Sequence, residues 1–484
     1  MSVSVKQSMT NNKPIFWLHV VIIFFCMFGF RFLPTLDPIT PVGMRLLGIF
    51  LGLIWGWIFV GMFWPSLLGL IALGFSDYMT LTDAFQQGIG HNNVLLNFFI
   101  FPIVGALDEA GVTTYLAYKI STLKIGRGRP FVTSFLVMYS CWFLTAITTN
   151  SFSSQLLVWA LFFQMVDIYK IPKGKYTAFM VVGIGLGGIL GPQAFPFMGP
   201  TVMYLGAYTG VSGLEIPYGQ YIIWTWVINA VAIIGYTLLG KYVLRLDASA
   251  LNRSDVGLDV PKKLSKYQKI MFSFFIILIV GLVWTSIMPA DWMITEIINT
   301  LTAKGVAAAV FLLICIFNFK ESKSTPVELL GKYEKWDILI LMAVVMLVSN
   351  AMGEDETGIS TWLMQVLDPV LGVDNVLLFV ILVTIIPLLI TNVFNNLVTC
   401  MVFIPIVYNF SVSAGVNSDL MTMLLLTTVN MAIVTPAACA PAAMIFGQKD
   451  WVTPKQVSVY GSMICVIVYF VALALGWPLG SILF

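Results

Sequence analysis

Two segments of this chain carry hydroxyl and amide side chains in the same order, within runs that are otherwise apolar. One reads Thr-Asn-Ser-Phe-Ser-Ser at 149–154 and the other Thr-Asn-Val-Phe-Asn-Asn at 391–396, an offset of 242 residues (391 − 149) in a chain of 484. Their oxygens are hard ligands that suit an alkali cation, and their N–H and O–H groups can donate to an anion. Because lipid would leave backbone groups unpaired at such interruptions, we expect both segments to face a polar cavity.

Two further pairs of segments recur at nearly the same offset. Residues 108–114 resemble 355–361 at an offset of 247, and the Gly-Pro at 191–192 matches the Thr-Pro at 435–436 at an offset of 244. The shared order and spacing predict an internal duplication. The predicted divisions are scaffold helices in 1–93, a first repeat in 94–243, a cytoplasmic linker in 244–269 and a second repeat in 270–484.

Composition predicts the class of protein. Hydrophobic residues make up 59% of the chain, charged residues only 10%, and the mean hydropathy is +0.93. Apolar runs recur at about the 20 residues needed to cross a bilayer. The prediction is an all-α polytopic membrane protein with eleven spans and two re-entrant helical hairpins, at 131–166 and 375–410. The spans are expected near 14–33, 43–61, 62–75, 94–117, 177–208, 221–243, 270–288, 303–319, 336–352, 420–446 and 457–483.

Lysine and arginine positions predict that the two hairpins open to opposite sides. Basic residues flank the first hairpin at 119–129 and 170–175, so both of its ends are expected in the cytoplasm. No Lys or Arg occurs from 336 to 448, which includes the whole second hairpin. Counting spans from a cytoplasmic N-terminus then puts the C-terminus outside the cell. The halves are therefore predicted to be inverted repeats, which support alternating access.

The predicted site has no fixed charge of its own. No charged residue lies between Arg129 and Asp167, between Lys175 and Glu215, or between Asp374 and Lys449 except Asp419. An anion bound there would be held by amides, hydroxyls and helix ends. Moving a negative charge into the cell against a membrane potential of 100 mV costs about 2.3 kcal/mol, so a dianion costs about twice as much. Co-bound cations would offset this cost. Oxygen ligands for such cations are available at Thr149, Asn150, Thr391, Asn392 and Asn396.

Several features favour ordinary structural roles. The glycine-rich run 183–188 lacks the strand and distal acid of a nucleotide-binding loop and is interpreted as close helix packing. The acidic pairs at 108–109 and 355–356 are interpreted as solvated helix N-termini. Six scattered cysteines and two isolated histidines favour neither disulfides nor a metal site. The net charge of +2 resides in short loops, so nucleic acid is not an expected partner.

Together these motifs resemble the divalent anion/sodium symporter family of the ion transporter superfamily, over nearly the whole chain. The resemblance also rests on Trp336-Asp337 at the ninth span and on Ile445-Phe446-Gly447 after the second break. In that family each hairpin tip carries a Ser-Asn-Thr motif followed at fixed spacing by Pro, and here Asn396 lies nine residues before Pro405. The motif positions are then 153–155 and 395–397, where Ser154, Gln155 and Leu397 differ from the motif.

Residue type and this resemblance together give the predicted site. The predicted sodium ligands are Thr149, Asn150, Ser153, Ser154, Gly191, Thr391, Asn392, Asn396 and Thr435. The predicted substrate contacts are Ser153, Ser154, Gln155, Asn395, Asn396, Leu397, Pro192 and Pro436. The resemblance further implies a homodimer whose hairpin-bearing domains move like an elevator against a fixed scaffold.

The predicted function is secondary active transport of a small organic anion, a di- or tricarboxylate, coupled to sodium, across a bacterial-type cytoplasmic membrane. No cofactor besides the coupling ion is expected. Alternatives within transport are a sodium-independent exchanger and a carrier of another anion, such as a sulfonate, or of a neutral solute. A channel would not need two opposed hairpins. An intramembrane enzyme would need an activated nucleophile or a metal pair, and no histidine lies near either tip.

Overall fold

In the computed structural model, the described residues are 13–252, 263–317, 322–371, 375–436 and 438–484. Parts of the predicted scaffold (1–12) and of the predicted linker (253–262) lie outside these ranges. The helices of the first half are α1 (Lys13–Phe24), α2 (Pro41–Phe59), α3 (Phe63–Leu73), α4 (Leu81–Ile89), α5 (Asn92–Glu109), α6 (Val112–Ser121), α7 (Pro130–Thr148), α8 (Ser151–Tyr169), α9 (Lys175–Leu190), α10 (Thr201–Ser212) and α11 (Tyr218–Leu238). Those of the second half are α12 (Lys266–Ile287), α13 (Met293–Ile316), α14 (Pro326–Tyr333), α15 (Trp336–Gly353), α16 (Ile359–Leu371), α17 (Val376–Thr391), α18 (Asn396–Ser413), α19 (Ser418–Val429), α20 (Ala440–Gly447), α21 (Pro454–Val471) and α22 (Trp477–Leu483).

The helices confirm an all-α polytopic membrane protein. Within the described ranges, eleven helices are long and apolar enough to cross a bilayer, and α4 with α5 forms a further candidate span bent by 45°. The number of these helices, eleven, equals the number of predicted spans, but some of the helices are not among the predicted spans. Helices α7, α8 and α18 of the hairpins pass this test, whereas α3 has only 11 residues. The predicted span 94–117 ends at Glu109, because Gly111 adopts a left-handed conformation there.

Both segments predicted to be broken spans are broken. The first is α9 and α10, separated by residues 191–200, which we call break 1. The second is α19 and α20, separated by residues 430–439, which we call break 2. Helix α9 packs against hairpin helices α7 and α8, and α19 packs against α17 and α18. After the breaks the partners are exchanged: α10 packs against α18, and α20 packs against α8 and α9. Each break therefore lies between elements of both hairpins.

The glycines of α9 allow this close packing, as predicted. A Cβ atom added to Gly187 would lie 2.6 Å from the Met138 carbonyl oxygen, and one added to Gly185 would lie 2.3 Å from the Ile445 side chain. Every residue from 176 to 190 is buried. The backbones of α7 and α9 therefore approach one another, and the Ile445 side chain of α20 packs directly on α9, in a way that larger side chains at these glycines would prevent. A nucleotide loop is excluded, because the segment is a regular helix.

Candidate functional site

The first hairpin turns within two residues. Thr149 has the left-handed φ of 50° and its N–H donates to the Thr145 carbonyl, which ends α7. Asn150 then accepts the N–H of Ser153 on its side-chain oxygen at 3.2 Å, which begins α8. The Thr-Asn pair thus caps two successive helices. We call residues 149–155 tip 1.

Tip 1 is bonded to α9. The Ser151 hydroxyl donates to the Gly188 carbonyl at 2.8 Å, and Gln155 Nε2 donates to the Gly185 carbonyl at 3.1 Å. Thr149 lies beside Gly199 of break 1, where an added Cβ would be 3.6 Å from the threonine Cβ. The predicted ligand Gly191 is buried against Thr145. Tip 1 and break 1 therefore form one packed unit.

The polar backbone of break 1 is satisfied mainly by α11. The Tyr221 hydroxyl donates to the Gln193 carbonyl at 2.9 Å, and both Thr225 and Trp226 donate to the Ala194 carbonyl at 3.2 Å. The Pro192 carbonyl accepts the Thr201 hydroxyl at 3.5 Å. Because these groups have partners, the chain can stay unwound in the interior of the protein.

The second hairpin is joined to break 2 by one amide side chain. Asn392 Nδ2 donates to the carbonyls of Leu388 at 2.8 Å and Met431 at 2.9 Å. Its Oδ1 accepts the N–H groups of Ile433 at 3.0 Å and Val434 at 2.9 Å. Both ends of the buried amide are therefore occupied, and Asn392 holds break 2 in place. We call residues 391–397 tip 2.

Other residues of tip 2 complete this connection. The Thr391 hydroxyl donates to the Val429 carbonyl at 2.7 Å, and the Thr435 hydroxyl donates to the Asn392 carbonyl at 2.6 Å. Asn396 Nδ2 donates to Asn430 Oδ1 at 3.3 Å, and Asn395 Oδ1 accepts the Leu397 N–H at 2.8 Å. Asn396 and Asn395 remain partly exposed. These two amides can therefore reach a ligand without leaving the hairpin.

Burial divides the predicted site residues into two groups. Those at least partly exposed are Thr149, Asn150, Ser153, Pro192, Asn395, Asn396, Thr435 and Pro436. Those buried are Ser154, Gln155, Gly191, Thr391, Asn392 and Leu397. Members of the first group lie at least partly at a surface, whereas members of the second are enclosed by neighbouring elements.

Two predicted substrate contacts are buried in this structure. Gln155 is fully buried between α8 and α9, where it lies against Gly188. Leu397 belongs to a hydrophobic core shared with α2, α10 and α15. A position in the motif does not determine which way its side chain points. Each residue in a helix is rotated by about 100° from the one before, so neighbouring motif residues face different directions.

The interpretation of the acidic pair at 108–109 is corrected. The Glu109 side chain is only 5% exposed and forms an ion pair with Lys332. It accepts further hydrogen bonds from Ser324 at 2.9 Å and Tyr333 at 3.2 Å. Asp108 accepts the Thr113 hydroxyl at 2.8 Å. Glu109 is therefore a buried anchor between α5 and α14 and not a solvated helix end.

A charged residue from outside the uncharged segments reaches tip 1. Lys335, between α14 and α15, has its Nζ 3.5 Å from the Thr149 carbonyl oxygen. Lys335, Thr149, Asn150 and Asp108 line a cleft of about 40 Å³. Burial lowers the pKa of Lys335 and raises that of Glu334 to about 8. The prediction of a site without fixed charge is therefore wrong at tip 1.

A larger polar cavity of about 480 Å³ lies between α10 and the facing ends of α5 and α15. Its polar lining includes His91, Asn93, Asn350, Glu215 and Glu354. It also reaches Pro196 of break 1. The volume is of the size that holds a small molecule. Pro196 of break 1 therefore borders a polar cavity.

Sequence reasoning missed three residues at the tips and breaks. They are Ser151, Asn430 and Lys335. Ser151 lies within the repeated segment, and Asn430 opens break 2, so polarity at an interruption could have indicated both. Nothing in the sequence pattern places Lys335 beside a tip 186 positions away.

Comparison with known proteins agrees with this architecture. A family model described as citrate transporter matches residues 50–430, which include both hairpins and the first broken span. The chain belongs to the citrate transporter family. As a member of this family it is a transporter and not an enzyme.

Named relatives of this citrate transporter family member are sodium-dependent dicarboxylate transporters. The sodium-dependent dicarboxylate transporter SdcS of Staphylococcus saprophyticus is 24% identical over 445 residues, covering 87% of this chain and 83% of the relative. The protein of the same name from Staphylococcus aureus strain USA300 is 24% identical over 429 residues, covering 84% and 81%. These similarities confirm the resemblance to the divalent anion/sodium symporter family.

Proposed function

We propose that this protein carries a small organic anion, a di- or tricarboxylate, and couples its movement to sodium. The observation that carries the proposal is that each hairpin tip is hydrogen-bonded to an unwound break or its helix, through Ser151 in the first half and Asn392 in the second. Broken helices of this kind bind substrates and coupling ions in secondary transporters. The names of the relatives support both the substrate class and sodium.

The exposed polar groups of the two tips and of break 2 are the proposed ligand set. Asn150, Asn396 and the hydroxyl of Thr435 offer oxygens to sodium together with nearby backbone carbonyls. Ser153 and Asn395 can donate to substrate carboxylates from the same tips. Buried Asn392 and Thr391 are proposed as positioning residues, since their hydrogen bonds fix tip 2 on break 2. A sodium ion beside a carboxylate reduces the cost of burying either charge, so the two ligands should bind cooperatively.

The order of helices supports a duplication. Each half contains an amphipathic helix (α4 or α14), a long helix (α5 or α15), a short helix, a hairpin, a broken span and a final long helix. We propose that the hairpins open to opposite sides of a bacterial-type cytoplasmic membrane, with the N-terminus inside and the C-terminus outside. An elevator movement of the hairpins against the remaining helices, within a homodimer, completes this proposal.

The orientation can be measured at two glycines that border the hairpins. Gly174 follows the first hairpin and Gly415 follows the second, and a Cβ at either site would have no atom within 4 Å, although the φ of 65° at Gly415 means that a cysteine there strains the backbone. In a background without native cysteines, Gly174→Cys should react with an impermeant maleimide only from the cytoplasmic side. Gly415→Cys should react only from outside. Labelling of both from the same side would contradict the inverted repeat.

Coupling can be measured in proteoliposomes at controlled membrane potential. An inward sodium gradient should drive accumulation of labelled succinate or citrate, whereas a potassium or proton gradient should not. Sodium should also raise substrate affinity, and substrate should raise sodium affinity by the same factor. Uptake that requires only an internal counter-anion would favour an exchanger. Uptake of a sulfonate or a neutral solute, but of neither carboxylate, would overturn the proposed substrate class.

A further inference from the structure

Lys335 approaches tip 1 at the C-terminal end of a hairpin helix. Its Nζ lies 3.5 Å from the Thr149 carbonyl oxygen, which follows the last residue of α7. Carbonyls at a helix C-terminus have no partner within the helix and carry partial negative charge. The same Nζ lies 5.2 Å from the centre of the Phe101 ring, a position that also favours a cation. The ammonium group therefore occupies a position suited to a cation.

The junction that carries Lys335 is fixed to α5. Glu109, at the end of α5, accepts hydrogen bonds from Ser324, Lys332 and Tyr333. The Tyr333 ring lies over Gly105, where an added Cβ would be 2.3 Å from the ring. A side chain larger than that of glycine at 105 would displace the ring. The ammonium group is thus presented to tip 1 by an anchored segment and not by a free loop.

Neighbouring charges do not neutralise Lys335 directly. Asp108 lines the same cleft, but its Oδ1 accepts the Thr113 hydroxyl. Asp337 favours the charged ammonium electrostatically from the start of α15. The carboxylate oxygens of Glu334 are buried without a hydrogen-bond partner among the described residues. The Thr149 carbonyl is thus the hydrogen-bond acceptor that the structure gives the ammonium group.

We propose that Lys335 is a tethered cation that takes the place of one coupling sodium ion at tip 1. This inference rests on the proposed sodium coupling and deepens it. The positive charge at tip 1 then belongs to the protein, so that tip needs no ion from solution while the contact lasts, and Asn150 would ligate sodium only when Lys335 is displaced or absent. At tip 2 the hydrogen bonds of the described residues join uncharged groups: Asn392 bonds to the Val434 N–H and Asn396 to the Asn430 side chain, both in break 2. The two tips would therefore differ in their need for sodium.

Removing the charge should make substrate binding depend more strongly on sodium. In Lys335→Gln, the carbonyl cluster at tip 1 loses its cation and becomes available to sodium. At low sodium, apparent substrate affinity should fall about tenfold relative to the wild type and recover at saturating sodium, within the range typical of coupled ligands. The sodium dependence of uptake should also become steeper. Lys335→Arg, which keeps the charge, should behave like the wild type.

Lys323→Gln is the matched control, since Lys323 is an exposed lysine that precedes the same helix, α14. It should leave the sodium curve unchanged. Identical sodium curves for Lys335→Gln and the wild type would overturn the inference, as would equal shifts in Lys335→Gln and Lys335→Arg, which would indicate packing and not charge.

A second measurement separates this inference from the proposed function. The melting temperature of detergent-purified protein is followed against sodium concentration, without substrate and without transport. A larger sodium-dependent rise in Lys335→Gln than in the wild type supports the tethered cation even if wild-type uptake does not require sodium. An unchanged response in Lys335→Gln, alongside sodium-driven uptake by the wild type, overturns the tethered cation and leaves the coupling intact.

Discussion

Asn392→Ala is expected to abolish transport and to lower the melting temperature strongly. The substitution removes the amide that bonds to the Met431 carbonyl and to the N–H groups of Ile433 and Val434. The buried Ile433 N–H and the partly buried Val434 N–H would be left without a partner, at about 1–3 kcal/mol apiece, whereas the Met431 carbonyl would keep the Cys465 thiol at 3.4 Å. Because all three belong to break 2, the break should collapse or become disordered. Tip 2 would then lose the surface that holds it.

Substitutions of graded severity test this explanation. Asn392→Asp keeps an acceptor for Ile433 and Val434 but loses the donors, so it should fall between alanine and the wild type. Asn409→Leu is the matched control on the same hairpin, because the Asn409 amide nitrogen is buried and makes no hydrogen bond within the described structure. Its apolar replacement should be nearly neutral. Near-normal melting and uptake by Asn392→Ala would contradict the positioning role.

Asn396→Ala is expected to weaken binding without unfolding the protein. Asn396 is partly exposed, and its side chain bonds to Asn430 and to the Leu397 N–H. Loss of an amide that ligates sodium or substrate should cost about 1–3 kcal/mol, or about tenfold to a hundredfold in apparent affinity. The maximal rate should change less than the affinity if Asn396 acts mainly in the bound ground state.

The corresponding change at tip 1 should be smaller. Ser154 is buried and lies 3.2 Å from the Thr148 hydroxyl, so Ser154→Ala removes a hydroxyl contact and no exposed amide. Uptake across a sodium series should be compared for both variants at matched expression and melting temperature. Near-normal affinity in Asn396→Ala would remove tip 2 from the site. A larger effect of Ser154→Ala would reverse the proposed roles of the two tips.

The class, the segmentation and the positions of the tips could be predicted from the sequence. Hydropathy is a local property, and a bilayer requires runs of about 20 apolar residues, so most spans are visible in the chain. Interruptions such as 149–150 and 392–395 are visible because polar residues are rare within such runs. The offset of the repeats could likewise be read directly.

The orientation of side chains around each helix could not be predicted. In a soluble helix one polar face indicates the direction of solvent, but a lipid-facing surface is as apolar as the protein interior. Nothing in the sequence therefore indicates that Gln155 turns toward the glycines of α9 while Asn396 stays partly exposed. The same ambiguity placed Leu397 in the predicted site, although it packs in a hydrophobic core.

Contacts between distant segments were decided by the tertiary structure alone. Counting charges along the chain described the hairpins as neutral, which is correct for the segments themselves. Lys335 reaches Thr149 only because Glu109 and Gly105 hold the α14–α15 junction against α5. An electrostatic environment depends on distances in space, and the sequence gives distances along the chain. The sequence therefore determined where polar tips occur, and the packing of α5 against α14 determined the charge that one of them meets.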